Sequence, residues 1–287
     1  VCGRYVSVTD PATLMRHFEV DEDRLDDGPG AVRANWNVAP TTTVPIIVDE
    51  VVEEVLDAAP DGVPGGAAPV RILRSARWGL VPSWARDPSI GTRMINARSE
   101  TLAGKPSFRA AFRRHRCIVP ADGFYEWRRT GAGRGARKQP YFIAARDGAP
   151  LALAGLYEHW RDPAAGDGDA VLVTCTIITT DANAVLAPLH DRMPAVLPHD
   201  AWDIWLDPAV DDTDVVAAVL APAADDVLAF RPVGTAVGSV RNNGPELIDE
   251  VDVDESERRA AAGEPAEPAD AADAVDGADE ADGTGER

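Results

Sequence analysis

The sequence predicts an α+β fold: a mainly antiparallel β-sheet or barrel-like core with flanking helices. Short strand-like runs outnumber helical stretches, and they do not alternate regularly with them, which argues against a doubly wound parallel sheet. No internal repeat is visible, and 287 residues can bury one large core or two small ones.

The elements follow in order. Arg4–Val8 reads as a short strand. Thr9-Asp10-Pro11 then opens a helix through His17, because a Thr/Asp cap followed by Pro in the first turn is a start signal. Asp21–Gly30 is acidic and carries Gly and Pro, hence loop. Val44–Glu54 is β-branched and strand-like, and Ala58–Pro69 has loop composition. Val70–Leu80 is a strand ending at Trp78-Gly79. Ser99–Phe112 contains a helical stretch, and Arg116–Val119 is a short buried strand. Thr130–Lys138 has hairpin-loop composition. Its glycines do not follow a strand and open a helix, so they are no dinucleotide fingerprint. Tyr141–Arg146, Leu151–Tyr157 and Ala170–Thr179 are strands. Asp181–Leu189, Ala201–Leu206 and Thr213–Leu220 read as helical, and Phe230–Val240 as a closing strand. Residues 1–248 form one domain in this reading. Residues 249–287 are Ala, Asp, Glu, Gly and Pro with almost no large apolar side chain, the composition of a disordered acidic tail.

Composition narrows the function. No run is long enough to span a bilayer, and no signal-peptide pattern opens the chain, so a cytoplasmic protein without a membrane partner is expected. Cys117 and Cys175 sit in apolar runs and read as reduced core residues. With no CxxC pair and no His/Cys cluster of zinc spacing, neither a metal nor another cofactor is expected. The net charge of -20 taken alone opposes a nucleic-acid partner, but it is unevenly spread. Residues 249–287 carry fifteen Asp/Glu against three Arg, whereas residues 71–146 carry seventeen Lys/Arg against four Asp/Glu. Only Lys105 and Lys138 are lysines. Acidic, Asp-rich, Lys-poor composition suits a salt-in halophile, and unfolding at low salt is its test.

Four stretches are denser in chemistry-bearing residues than a generic core: Asn35–Pro40 (NWNVAP); Trp78–Ala85 with Ile95–Thr101 (WGLVPSWA, INARSET); Cys117–Trp127 (CIVPADGFYEW); and Leu189–Pro194 (LHDRMP). A fifth signal is Cys2. Val1 reads as a non-AUG start codon translated literally. Its removal as initiator would leave Cys2 with a free α-amine beside its thiol, a 1,2-aminothiol that condenses with aldehydes to a thiazolidine. Each residue also has a plainer reading. Cys2 is a small buried residue, Glu126 the exposed position of an amphipathic strand, His190 a surface loop residue, and Asn96 a turn cap. The tryptophans are core, at least in part.

Taken together, these motifs resemble the SRAP family (SOS-response-associated peptidase-like proteins), which crosslink covalently to abasic sites in single-stranded DNA. The resemblance runs from Cys2 to about Ile248, ending in Gly238–Gly244 (GSVRNNG), and leaves out the tail. It implies that Cys2 is the crosslinking residue, that Asn96 orients the reacting group, that Glu126 moves protons beside Cys2, and that His190 assists sugar opening and reversal. The charge map, with arginines for phosphates and tryptophans as stacking platforms, gives a DNA face containing Arg4, Asn37, Pro40, Trp78, Trp84, Arg98, Trp127 and Arg192, where the resemblance implies that Pro40 is a wedge. Arg77, Arg86, Arg93, Arg109 and Arg113 would extend the phosphate path. Strand cleavage by β-elimination is a side branch. Two competing readings stand beside it: a cysteine-dependent peptidase of the N-terminal-nucleophile kind, and a non-catalytic single-strand binder. Protein partners are not legible.

Overall fold

The strand-forming runs assemble into two sheets. A computed structural model describes residues 2–27, 31–51, 69–130, 137–164 and 171–253. The elements in chain order are β1 (Tyr5–Ser7), α1 (Pro11–His17), β2 (Glu22–Arg24), β3 (Asn35–Val38), β4 (Thr43–Glu50), β5 (Val70–Trp78), β6 (Asn96–Arg98), α2 (Arg109–Arg114), β7 (Arg116–Ala121), β8 (Gly123–Thr130), β9 (Arg137–Ala145), β10 (Leu151–Trp160), β11 (Leu172–Asp181), β12 (Arg192–Pro194), α3 (Trp202–Leu206), α4 (Thr213–Ala218) and β13 (Leu228–Pro232).

The larger sheet runs β12-β11-β10-β7-β4-β5-β2. A second, parallel pairing of β5 with β11, at Arg77↔Thr174 and Trp78↔Cys175, closes its middle into a barrel. The smaller sheet runs β13-β9-β8-β1-β3. The barrel strands are buried on both faces. Cys117, Val119, Leu153, Cys175 and Ile177 pack with Tyr5 and Trp78 in one cluster. Their sequence neighbours Ile118, Ala154, Leu156 and Ile178 pack on Trp202 and Trp205 in another. Arg116 ties the helices on: its guanidinium, 2% exposed, donates to the carbonyls of Phe112, Arg113, Trp205, Asp207 and Val210. A buried cation is tolerated here because carbonyl oxygens take over its hydration.

The fold class is α+β with dominant antiparallel pairing, as the sequence predicts. Asp10 caps α1 by accepting from the Thr13 N–H at 3.0 Å. Three expectations need correction. Asp181–Leu189 forms no helix. Pro188 has no N–H to donate, and the Asn183 side chain takes the Leu186 N–H (3.0 Å), so the segment folds as successive turns. The strand expected at Phe230–Val240 stops at Pro232, and a 3-10 turn (Thr235–Gly238) replaces its second half. Within the loop expected at Asp21–Gly30, Glu22–Arg24 pairs in parallel with β5. Val1, the insert at 52–68, the loop tip at 131–136 and the tail from 254 lie outside the described residues.

Candidate active site

Strand register brings the N-terminal segment to Glu126. β1 runs antiparallel to β8 with Tyr5↔Phe124 and Val6↔Gly123, and the Tyr125 N–H donates to the Arg4 carbonyl at 3.0 Å. Continuing that register places the residues before β1 beside Glu126. The Cys2 nitrogen donates to Glu126 Oε1 at 2.7 Å. Asn96 Nδ2 donates to the Cys2 carbonyl at 3.2 Å from the other side. Cys2 is fully buried and Glu126 is 6% exposed, so this is an interior carboxylate and not the solvent-facing position of a strand. Burial, followed by the negative charge of Glu126, pushes the Cys2 thiol well above its ordinary value. The thiol is therefore held neutral, while the nitrogen has a proton acceptor at hydrogen-bond distance.

Asp122 secures the next stretch. Its carboxylate accepts from the Val8 and Thr9 N–H groups (2.6 and 3.1 Å) and from the Thr9 hydroxyl. Sequence reasoning missed this role, although Asp before Gly123 is a usual turn signal.

His190 stands just before β12, the strand that pairs with the edge of β11 opposite β6. Its Nδ1 accepts the Arg192 N–H at 2.9 Å and lies 2.8 Å from Asp191 Oδ1. The Arg192 N–H and the Asp191 carboxylate both meet the ring at Nδ1 and so fix its orientation.

The expected DNA face divides into two groups. Arg98, Arg86, Arg93, Arg109 and Arg113 are exposed, and Trp84 is 60% exposed on the loop after β5. Pro40, Trp127 and Arg77 are half-buried. The other group is committed elsewhere. Trp78 is fully buried, packs edge-to-face on Tyr5 at 5.2 Å and donates Nε1–H to the Ile95 carbonyl, so it has no face for a base. Asn37 is 3% exposed; it donates to the carbonyls of Val237, Ser239 and Asn242 and accepts from Arg4, which pins the GSVRNNG loop. Arg4 also donates to the Val237 carbonyl. The Arg192 side chain is 11% exposed and is held by Glu100, Asp181 and the Thr179 carbonyl. Burial of this kind depends on which strands become neighbours, and no local pattern announces it.

The family model described as SOS response associated peptidase (SRAP) matches residues 1–240. The chain is 37% identical over 250 residues to the abasic site processing protein YoqW of Bacillus subtilis (strain 168), covering 87% of this chain and 99% of that one. It is 34% identical over 247 residues to the abasic site processing protein HMCES of Gallus gallus, covering 78% and 68%. A crystal structure of a protein from Bacteroides thetaiotaomicron superposes with a TM-score of 0.67 at 25% identity, covering 87% of this chain and all of that one. The chain belongs to the SRAP family.

Proposed function

We propose that this protein captures abasic sites in single-stranded DNA by forming a thiazolidine between the deoxyribose C1′ aldehyde and Cys2. The observation that carries the reading is the Cys2 nitrogen 2.7 Å from the buried Glu126 carboxylate, with its thiol desolvated beside it. Relatives are named abasic site processing proteins, and an abasic deoxyribose is mostly a closed hemiacetal that must open before attack. His190 serves that opening. The neutral α-amine then adds to C1′, and Glu126 takes and returns the proton that lets the carbinolamine lose water. The thiol adds to the resulting imine: a C–S bond forms, the thiol proton ends on nitrogen, and one water is the net product. Asn96 holds the Cys2 carbonyl and so fixes the direction of the amine.

The chemistry requires a free α-amine on Cys2, which any preceding residue would block. With Val1 in place Cys2 sits at φ 28°, in the left-handed region. Such a conformation costs a non-glycine residue on the order of 1–3 kcal/mol. An N-terminal Cys2 has no φ, and that strain would vanish.

A thiolate-dependent peptidase fits less well, because the site disfavours the thiolate. The deciding experiment incubates the chain with a single-stranded oligonucleotide carrying one abasic site and resolves the products on a denaturing gel. Cys2→Ala and a variant with one extra residue before Cys2 run alongside. A shifted band that needs the abasic site and disappears in both variants supports the reading. A band kept when the amine is blocked means thiol-only chemistry, and no band from folded, processed protein rejects crosslinking.

A further inference from the structure

We propose that Glu100 is a positioning residue for this reaction, acting through Arg192 to hold Asn96 and His190 in fixed relation across β11. The inference rests on the abasic-site reading above. The C-terminal half of β11 lies between two short strands. β6 pairs along one edge from Ile177↔Asn96 to Thr179↔Arg98, and β12 along the other from Thr179↔Pro194 to Asp181↔Arg192. Asn96 opens the first strand and His190 precedes the second, so their separation is set by how these strands are tied to β11.

The tie is the Arg192 side chain. From β12 it reaches over β11, donates Nη2–H to the Thr179 carbonyl at 2.7 Å and pairs Nη1 with Asp181 at 2.8 Å. It ends on both oxygens of Glu100, with Nη2 to Oε2 at 3.0 Å. Glu100 lies in the 3-10 turn Ser99–Thr101 that continues directly from β6. The backbone N–H of Arg192 is also the donor on His190 Nδ1. One carboxylate therefore anchors the end of the Asn96 strand, and through a two-pronged guanidinium it anchors the residue that sets the His190 ring.

The Glu100 side chain is 49% exposed, and exposed ion pairs add little stability. A role in geometry is thus separable from a role in folding. A lysine at 192 would carry the charge without the fork.

The test uses the full chain with Glu100→Gln, and Glu100→Asp as a second variant that keeps charge but shortens reach. Wild type and variants are compared in single-turnover crosslinking at saturating abasic oligonucleotide. Affinity is read by anisotropy on an oligonucleotide with a tetrahydrofuran abasic analogue, which has no aldehyde. The His190 ring is read by 15N NMR. Misplacement of the reacting groups predicts a crosslinking rate constant lower by roughly 10–100-fold in Glu100→Gln. Analogue affinity should stay within about twofold, since no phosphate contact is removed. The ring signals should move from their wild-type positions, because the Arg192 N–H that meets Nδ1 moves with its side chain. An unchanged rate with unchanged ring signals overturns the proposal. Tighter analogue binding without a slower rate also overturns it, because Arg192 would then be a phosphate ligand that Glu100 merely restrains. If the wild type forms no adduct, the abasic-site reading fails and this inference with it. A wild-type adduct matched by both variants rejects this inference alone.

Discussion

Glu126 shows how much one side chain's surroundings decide. Between Tyr125 and Trp127 it reads as a surface carboxylate, yet it is buried and bonded to the Cys2 nitrogen. Glu126→Gln keeps an oxygen that can accept that hydrogen bond but removes the base. Crosslinking should slow by roughly 100-fold or more, with the melting temperature close to wild type, as gel time courses and calorimetry can check. The tryptophans form a second pair of opposites. Trp84→Ala removes an exposed ring and should leave stability within about 0.5 kcal/mol. If its ring stacks a base, as the proposed function requires, that loss should weaken binding to single strands by about 1–3 kcal/mol in a titration. Trp78→Ala empties a fully buried site and should cost about 3–5 kcal/mol in denaturant unfolding. The motifs WGL and PSWA make both tryptophans look alike in sequence, and only the closing of the barrel separates them.

At the scale of elements, the long barrel strands were legible because their apolar runs are continuous and bounded by turn residues. The short strands β2, β6 and β12 were not, since three residues carry no period and pair only because a longer strand lies beside them. Two of these three hold Asn96 and Arg192, so the motifs were visible while the scaffold that aims them was hidden. The loop after β5, which carries Trp84, is anchored by a backbone contact between two glycines. A Cβ on Gly91 would lie 2.4 Å from the Gly79 carbonyl oxygen, and one on Gly79, at φ 127°, would lie 2.7 Å from that of Gly91. Gly91→Ala must push the two segments apart and should destabilise by about 1–3 kcal/mol in thermal or denaturant unfolding. Hydrogen exchange in residues 80–95 should rise with it.

For the whole molecule, burial raises the thiols of Cys2, Cys117 and Cys175 above an ordinary value of 9.0. In the folded state they keep their protons where the unfolded chain loses them. The unfolded state then binds fewer protons, so stability falls as pH rises past about 9. Melting temperatures across that range should decline, and Cys117→Ala should flatten the decline. The charge distribution makes a separate prediction. If the acidic composition is an adaptation to high salt, the chain should unfold when salt is removed and regain its structure when salt is restored, as circular dichroism can follow. The assembly of the site has a consequence in time. Cys2 is synthesised 188 residues before His190, with Asn96 and Glu126 between them. At ordinary translation speeds that interval is roughly 10–40 s. Throughout it an exposed Cys2 has neither the burial that keeps its thiol protonated nor the carboxylate and amide that direct its nitrogen. Once its amine is free, such a nascent aminothiol is open to any small aldehyde in solution. If Cys2 is the crosslinking residue proposed above, its burial beside Glu126 and Asn96 on folding turns a general aldehyde trap into a selective one.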